Sequence, residues 1–266
     1  MKLKANGIEI NYEIDGDGPW VTFSHSLACN LSMWDEQVRA LKGRYRVLRY
    51  DTRGHGQTSA PAGAYSLDQL ADDLKGLLDG LGVSATHFVG LSMGGMIGQV
   101  FALKYPAMVQ SLALCDTTSR YAPGAAAVWE ERIRTVGAKG MEPMVAATLE
   151  RWFTAPFRAR RKDLMDRVGA MIRSTPAPGY IGCCHALPKI NVTERLRDVR
   201  CPALVIVGED DPGTPVEMAR DIHAALPIAD LAVLCRASHL SNVEQPEEFN
   251  RALGGFLDKL SGRTKL

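Results

Sequence analysis

The residues best equipped for covalent chemistry lie in one short run, Gly90-Leu91-Ser92-Met93-Gly94. A serine hydroxyl is a poor nucleophile at neutral pH. It needs a base within hydrogen-bond reach and a third group to orient that base. A G-x-S-x-G run has this meaning only on a sharp turn from a strand into a helix. Here Phe88-Val89 reads as the end of a buried strand, and Met96 to Lys104 as a helix that ends before Pro106. Side chains at Gly90 and Gly94 would collide with the neighbouring strand and helix on such a turn. Ser92 then stands at a helix N-terminus, where free N–H groups and the positive end of the dipole face any developing negative charge. The competing reading is a glycine-rich turn with a structural serine, and the rest of the chain has to decide between them.

In parallel-sheet folds the functional groups collect at the carboxyl ends of strands, so the partners of Ser92 are sought after later strands, in the order serine, acid, histidine. Ala203 to Val207 is a short apolar strand that runs into Gly208-Glu209-Asp210-Asp211-Pro212-Gly213-Thr214-Pro215. Leu231 to Leu234 is another, and it runs into Arg236-Ala237-Ser238-His239. His239 is therefore the expected base, while His87, His185 and His223 read as surface or satisfied core residues. The acid is Asp210 or Asp211, which spacing does not separate. An oxyanion formed on attack needs two donors. The Met93 N–H follows the nucleophile directly. The second should come from a loop after an early strand, and Ser24-His25-Ser26-Leu27-Ala28 offers the Leu27 N–H, with His25 shaping the loop.

The elements that must position these groups alternate. Leu3 to Glu13 reads as a hairpin about Asn6-Gly7. Trp20 to Phe23, Arg46 to Tyr50 and Ser111 to Cys115 read as strands. Met33 to Leu41 reads as a helix, and Leu67 to Leu81 as a helix capped by Ser66 and closed by Gly82. From about Thr118 to Arg195 strand signals vanish. Ala125 to Val136, Glu142 to Trp152, Arg160 to Ile172 and Tyr180 to Leu187 carry helical periodicity. After the late strands come helices over Val216 to Ala225 and Pro246 to Leu260. Residues 261–266 read as disordered. The expectation is an α/β fold with a mostly parallel central sheet flanked by helices. Residues 1–117 and 196–266 form its core, and 118–195 an inserted helical cap.

Composition excludes several classes. The chain has 266 residues, 46% hydrophobic and 23% charged, with net charge +1, ordinary for a soluble enzyme and unsuited to nucleic acid or an anionic membrane as main partner. Its start has no signal-peptide core, and no stretch approaches transmembrane length. The six cysteines, Cys29, Cys115, Cys183, Cys184, Cys201 and Cys235, form no C-x-x-C and read as reduced, buried and inert in a cytoplasmic protein. No metal-ligand spacing is visible, and no cofactor is expected.

Along nearly its whole length the chain resembles the α/β-hydrolase superfamily. Asp51-x-Arg53-Gly54-His55-Gly56-x-x-Ser59 resembles that family's loop after an early strand. Gly208-x-x-Asp211-x-x-x-Pro215 resembles its acid loop, which favours Asp211 over Asp210. Ser24-His25-Ser26-Leu27 stands where many members have His-Gly-x-x, and the third position after that histidine's start supports Leu27 as the oxyanion donor. Within the superfamily the chain is similar to 3-oxoadipate enol-lactonases, through Ser26-Leu27 with Leu31-Ser32-Met33-Trp34, Glu150-Arg151-Trp152-Phe153-Thr154, Gly182-Cys183-Cys184 and His239 to Pro246. One departure stands out. After Gly182-Cys183-Cys184 those lactonases continue with a charged Arg-Asp segment, where this chain has His185-Ala186-Leu187-Pro188-Lys189.

The resemblance implies a Ser92, His239 and Asp211 triad that cleaves a small carboxylic ester or lactone through a serine acyl-enzyme, with 3-oxoadipate enol-lactone as one such substrate. Ser26, Trp129 and Trp152 are the expected substrate-binding residues, with Phe153 as further apolar surface. Arg132, Arg134, Arg151 and Lys189 are the candidates to hold a substrate carboxylate. The alternatives are a broad carboxylesterase or perhydrolase for neutral esters, and a non-enzymatic small-molecule receptor on the same fold.

Overall fold

The computed structural model describes residues 1–122 and 124–262. An antiparallel hairpin opens the chain, β1 (Lys2–Ala5) and β2 (Ile8–Asp15), turned at Asn6 and Gly7 with φ of 45° and 76°. Asparagine and glycine are the residues that reach this left-handed region at least cost. There follow β3 (Trp20–Ser24), α1 (Asp35–Leu41), β4 (Arg46–Tyr50), α2 (Leu67–Gly80), β5 (Thr86–Leu91), α3 (Met93–Lys104) and β6 (Val109–Cys115). The Ser66 hydroxyl caps α2 by accepting the Gln69 N–H. The Arg160 to Ile172 periodicity corresponds to one helix, Lys162–Ser174, and a short helix not expected from the sequence, Ala155–Arg160, precedes it. After α4 (Ala126–Lys139) and α5 (Val145–Trp152), α6 (Ala155–Arg160) has Pro156 in its first turn, and a break at Arg161 precedes α7 (Lys162–Ser174) and α8 (Ala177–Ala186). Proline fits the first turn, where its missing N–H has no helical partner to lose. The chain closes with β7 (Ala203–Gly208), α9 (Val216–Ala225), β8 (Ala229–Leu234), α10 (Ser241–Glu244) and α11 (Pro246–Leu260).

The eight strands form one sheet in the order β1-β2-β4-β3-β5-β6-β7-β8. The pairs β1/β2 and β2/β4 are antiparallel and all others parallel. The chain leaves β3 towards β4 on one side and leaves β5 towards β6 on the other. The order therefore reverses between β3 and β5, and in an open α/β sheet such a reversal opens a crevice at the carboxyl ends of the strands. The loop after β3 and the turn after β5 both lie at that point.

Between β6 and β7 the helices α4 to α8 intervene, and the backbone pairing found there among the described residues is a single bridge, Arg120 with Asn191. No helix of the described residues is long and apolar enough to cross a membrane. The thiols depart from expectation at two positions: Cys201 is half-buried, and Cys235 is exposed, because it follows β8 at the edge of the sheet. Ser261 and Gly262 form a turn, and residues 263–266, the rest of the tail expected to be disordered, lie outside the described residues.

Candidate active site

Ser92 sits on the turn from β5 into α3 with φ 57° and ψ −113°, a strained conformation for a non-glycine residue. Its backbone is tied down on both sides. Ser92 N–H donates to Cys115 O at 2.8 Å, and Thr117 Oγ1 donates to Ser92 O at 2.7 Å. The two flanking glycines are required by space. A Cβ on Gly90 would stand 2.2 Å from Gly94 O, and one on Gly94 would stand 2.1 Å from Ser24 O.

His239 lies in the loop between β8 and α10, with its Nε2 2.9 Å from Ser92 Oγ and its Nδ1 2.7 Å from Asp211 Oδ2. With an Nδ1–H donor to Asp211, Nε2 is left to accept the Ser92 hydroxyl proton. Asp211 is buried and its neighbour Asp210 is exposed, which separates the two acids that spacing leaves open. The Asp211 carboxylate also accepts from Gly213 N at 2.8 Å, Thr214 N at 3.1 Å and Thr214 Oγ1 at 2.6 Å. Burial works to raise the Asp211 pKa, but attraction to His239 and the hydrogen bonds from His239 and Thr214 outweigh it, so the carboxyl lies below its ordinary value.

The two N–H groups expected to serve an oxyanion lie on two turns. Met93 begins α3, so its N–H has no helical acceptor. The loop after β3 closes with Cys29 N–H on Ser26 O at 3.1 Å and puts Ala28 at φ 61°. Neither Leu27 N–H nor Met93 N–H donates to an acceptor among the described residues. Two buried histidines shape this loop. Thr52 N–H donates to His25 Nε2 at 2.9 Å, and Ala28 N–H donates to His55 Nε2 at 3.1 Å. Each Nε2 is an acceptor, so each ring carries its proton on Nδ1, which donates to Ser26 O and Arg53 O respectively.

A cavity of about 340 Å³ joins the groups, within the size range of small-molecule sites. Ser92 and His239 line its floor with Ser26 and Leu27, and Trp129 and Trp152 line its wall. Phe153, by contrast, is 1% exposed and stacks on Phe157 at 5.5 Å, away from the cavity. Of the four candidate cations, Arg132 and Arg151 line the cavity. Arg134 pairs with Glu131 on the exposed face of α4, and Lys189 is exposed. Neither Arg132 nor Arg151 has an acidic partner among the described residues. Arg132 lies over the Trp129 ring at 4.5 Å, and Arg151 makes only a long contact, 3.4 Å, to Thr148 Oγ1. Burial, then repulsion from Arg132, pulls the Arg151 pKa below its ordinary value.

Sequence reasoning passed over Asp116, at the end of β6. It is 1% exposed and accepts from Gly208 N at 2.8 Å and from Ser241 Oγ at 2.5 Å, so it ties the end of β7 to the helix after His239. Burial, and then repulsion from Asp211, raises its pKa well above the usual carboxylate range. The only hint in the sequence is an acidic residue immediately after an apolar strand.

The sheet order, the strained serine turn and the hydrogen-bonded serine, histidine and aspartate define an α/β hydrolase. The chain belongs to the alpha/beta hydrolase fold family, whose model matches residues 19–246. It is 36% identical to 3-oxoadipate enol-lactonase 2 of Acinetobacter baylyi, over 97% of each chain. Among solved structures it is similar to the enol-lactonase from Burkholderia xenovorans LB400, with 36% identity, 97% of this chain and 99% of that one covered, and a TM-score of 0.93. It is also similar to a thermophilic esterase from Thermogutta terrifontis solved with malate bound, with 29% identity, 98% and 99% coverage, and a TM-score of 0.94.

Proposed function

We propose that this hydrolase opens a small lactone, or cleaves a small ester, that carries a carboxylate, and that 3-oxoadipate enol-lactone is its substrate. The observation that carries the reading is the pair Arg132 and Arg151, two cations without acidic partners among the described residues, on the wall of the cavity that holds Ser92. A guanidinium kept partly out of water without a counter-ion is costly, and a substrate carboxylate removes that cost. The enol-lactonase relatives, and the malate held by the esterase relative, support an anionic ligand of this size.

In this reading Ser92 Oγ attacks the lactone carbonyl carbon as its proton passes to His239 Nε2, and Asp211 stabilises the imidazolium through Nδ1. The tetrahedral oxyanion rests on the N–H groups of Leu27 and Met93. The ring C–O bond then breaks, and the leaving enol oxygen takes the proton from His239. The leaving group stays tethered to the acyl chain. Water gives a proton to His239 and attacks the acyl carbon. Ser92 departs with that proton, leaving the free acid. Residues 1–117 and 196–266 serve as the core that carries this machinery, and 118–195 as the cap that selects the substrate. Thiols without disulfide partners fit a reducing compartment, and we place the protein in the cytoplasm.

The test is kcat/KM for 3-oxoadipate enol-lactone beside a short neutral p-nitrophenyl ester. A lactone preference of at least about 100-fold is expected, the scale of losing one buried charge pair. Equal rates, or preference for the neutral ester, would overturn the carboxylate reading and favour a general esterase. The apolar part of the wall, with Met96, Val128 and Leu187, is the observation on that side.

A further inference from the structure

Helix α5 carries Arg151 and Trp152 in its last turn, where backbone carbonyls have no helical partner. Those carbonyls are taken by the loop that carries His239. Ser238 Oγ donates to Arg151 O at 2.8 Å, and Leu240 N–H donates to Trp152 O at 3.1 Å. The residues on either side of His239 are thus bonded to Arg151 and Trp152, two of the cavity-lining residues of α5. The Trp152 and His239 rings stack, with centroids 6.5 Å apart and planes at 26°.

One buried carboxylate closes this arrangement. Glu244, at the end of α10 and 4% exposed, accepts Ser238 N–H at 2.9 Å on the histidine side. On the other side it accepts Thr154 N–H at 3.1 Å, and the Thr154 hydroxyl donates to the same oxygen. The charge is met entirely by N–H and O–H donors, and hydrogen bonds to an ionised acceptor are stronger than neutral ones. Helix α4, which carries Trp129 and Arg132, packs on α8, and among the described residues no hydrogen bond joins it to the His239 loop.

We infer that Glu244 is a positioning residue that sets the distance between Arg151 and His239, so that a substrate held by its carboxylate presents its carbonyl to Ser92 in register. The inference rests on the reading that Arg151 binds a substrate carboxylate. A neutral ester has no group on Arg151 and does not use that distance. Severing the clamp therefore costs the charged substrate more than the neutral one. Misplacement by about 1 Å is worth up to roughly 100-fold in rate.

The experiment uses Thr154→Val, which cuts one bond of the clamp at a residue that does not line the cavity, and Glu244→Gln, which removes the charge at nearly constant shape. For both, kcat and KM are measured on 3-oxoadipate enol-lactone and on a neutral p-nitrophenyl ester, and hydrogen exchange is followed over residues 151–154 and 238–240. The expected result is a loss of about tenfold in kcat/KM on the lactone for Thr154→Val and more for Glu244→Gln, with the neutral ester changed less than threefold. Faster exchange should appear in both segments together. Equal losses on the two substrates, or no loss on either, overturn the clamp while leaving the carboxylate reading intact. If the wild-type protein shows no preference for the charged substrate, the carboxylate reading fails instead. Exchange then judges the clamp: coupled loss of protection in both segments upholds Glu244 as the tie, and unchanged protection in Glu244→Gln overturns it.

Discussion

The rings of His25 and His55 lie 5.2 Å apart, both fully buried, and each accepts on Nε2 a backbone N–H from the loop that carries the other. Only neutral imidazoles can accept there. Burial lowers the pKa of His25 to about 4. For His55 burial, and then repulsion from His25, lowers it to about 3. An unfolded histidine titrates near 6.5, so between that pH and the folded values the unfolded chain binds more protons than the native one. Stability is therefore fully present above about pH 6.5 and falls as the pH drops towards 4 and 3. At about 1.4 kcal/mol per unit, each histidine withdraws on the order of 3 kcal/mol. Urea denaturation from pH 8 to pH 4 should show this decline. His55→Gln should be less stable at pH 8 but have a shallower slope below pH 6.5. An unchanged slope would remove the pair from the acid transition.

Ser92→Ala should abolish turnover of both lactone and ester, by about 10⁴-fold or more, since the members of such a hydrogen-bonded chain act as a unit. Alanine keeps the backbone contacts of residue 92 to Cys115 and Thr117, which use main-chain atoms, so the melting temperature should stay within a few degrees of wild type. Wild-type activity in this variant would dismiss the nucleophile.

The two adjacent aspartates make an internally controlled pair. Asp211→Asn keeps shape but puts an amide against His239 Nδ1, where a charge now accepts its proton. A loss of about 10⁴-fold in kcat is expected, by analogy with loss of the buried acid in serine proteases. Asp210→Asn changes an exposed side chain whose backbone N–H is already bonded to Ala237 O, and should alter kcat by less than a factor of about three. Steady-state kinetics on the two variants side by side would expose a reversed assignment at once.

The strands, the serine turn and the histidine were legible because each is local: an apolar run, two glycines at fixed spacing, a histidine one loop after a strand. Asp211 against Asp210 was not legible from spacing, since which neighbour turns inward depends on how Gly213 and Thr214 wrap the carboxylate. Phe153 was left open between substrate surface and helical packing, because an aromatic after a helix looks the same in either role, and only its contact with Phe157 decides. Asp116 and Glu244 were silent because their partners lie far away in sequence, 125 residues for Ser241 and 90 for Thr154. The short helix α6 was not legible, since its six residues, opened by Pro156, are too few to carry a helical periodicity.

The departure at His185 to Lys189 bears on where the carboxylate cation comes from. Had the anchor stood in that segment, its loss would leave an apolar cavity and an esterase. The structure instead turns His185 towards a separate groove, leaves Lys189 exposed, and brings only Leu187 to the cavity, so the available cations are those of α4 and α5. Arg151 is bonded through its own backbone to the His239 loop, whereas Arg132 rests on Trp129. Arg151→Met should therefore raise KM for 3-oxoadipate enol-lactone by about 30-fold and lower kcat as well, because both binding and alignment are lost. Arg132→Met should raise KM by a smaller factor, about fivefold, with kcat nearly kept, the signature of binding shared by ground and transition states. On a neutral ester both variants should leave KM unchanged or lower it, since a desolvated cation has been removed from an apolar wall. Equal effects of the two substitutions on lactone and ester would mean that the arginines hold helices α4 and α5 in place rather than the substrate.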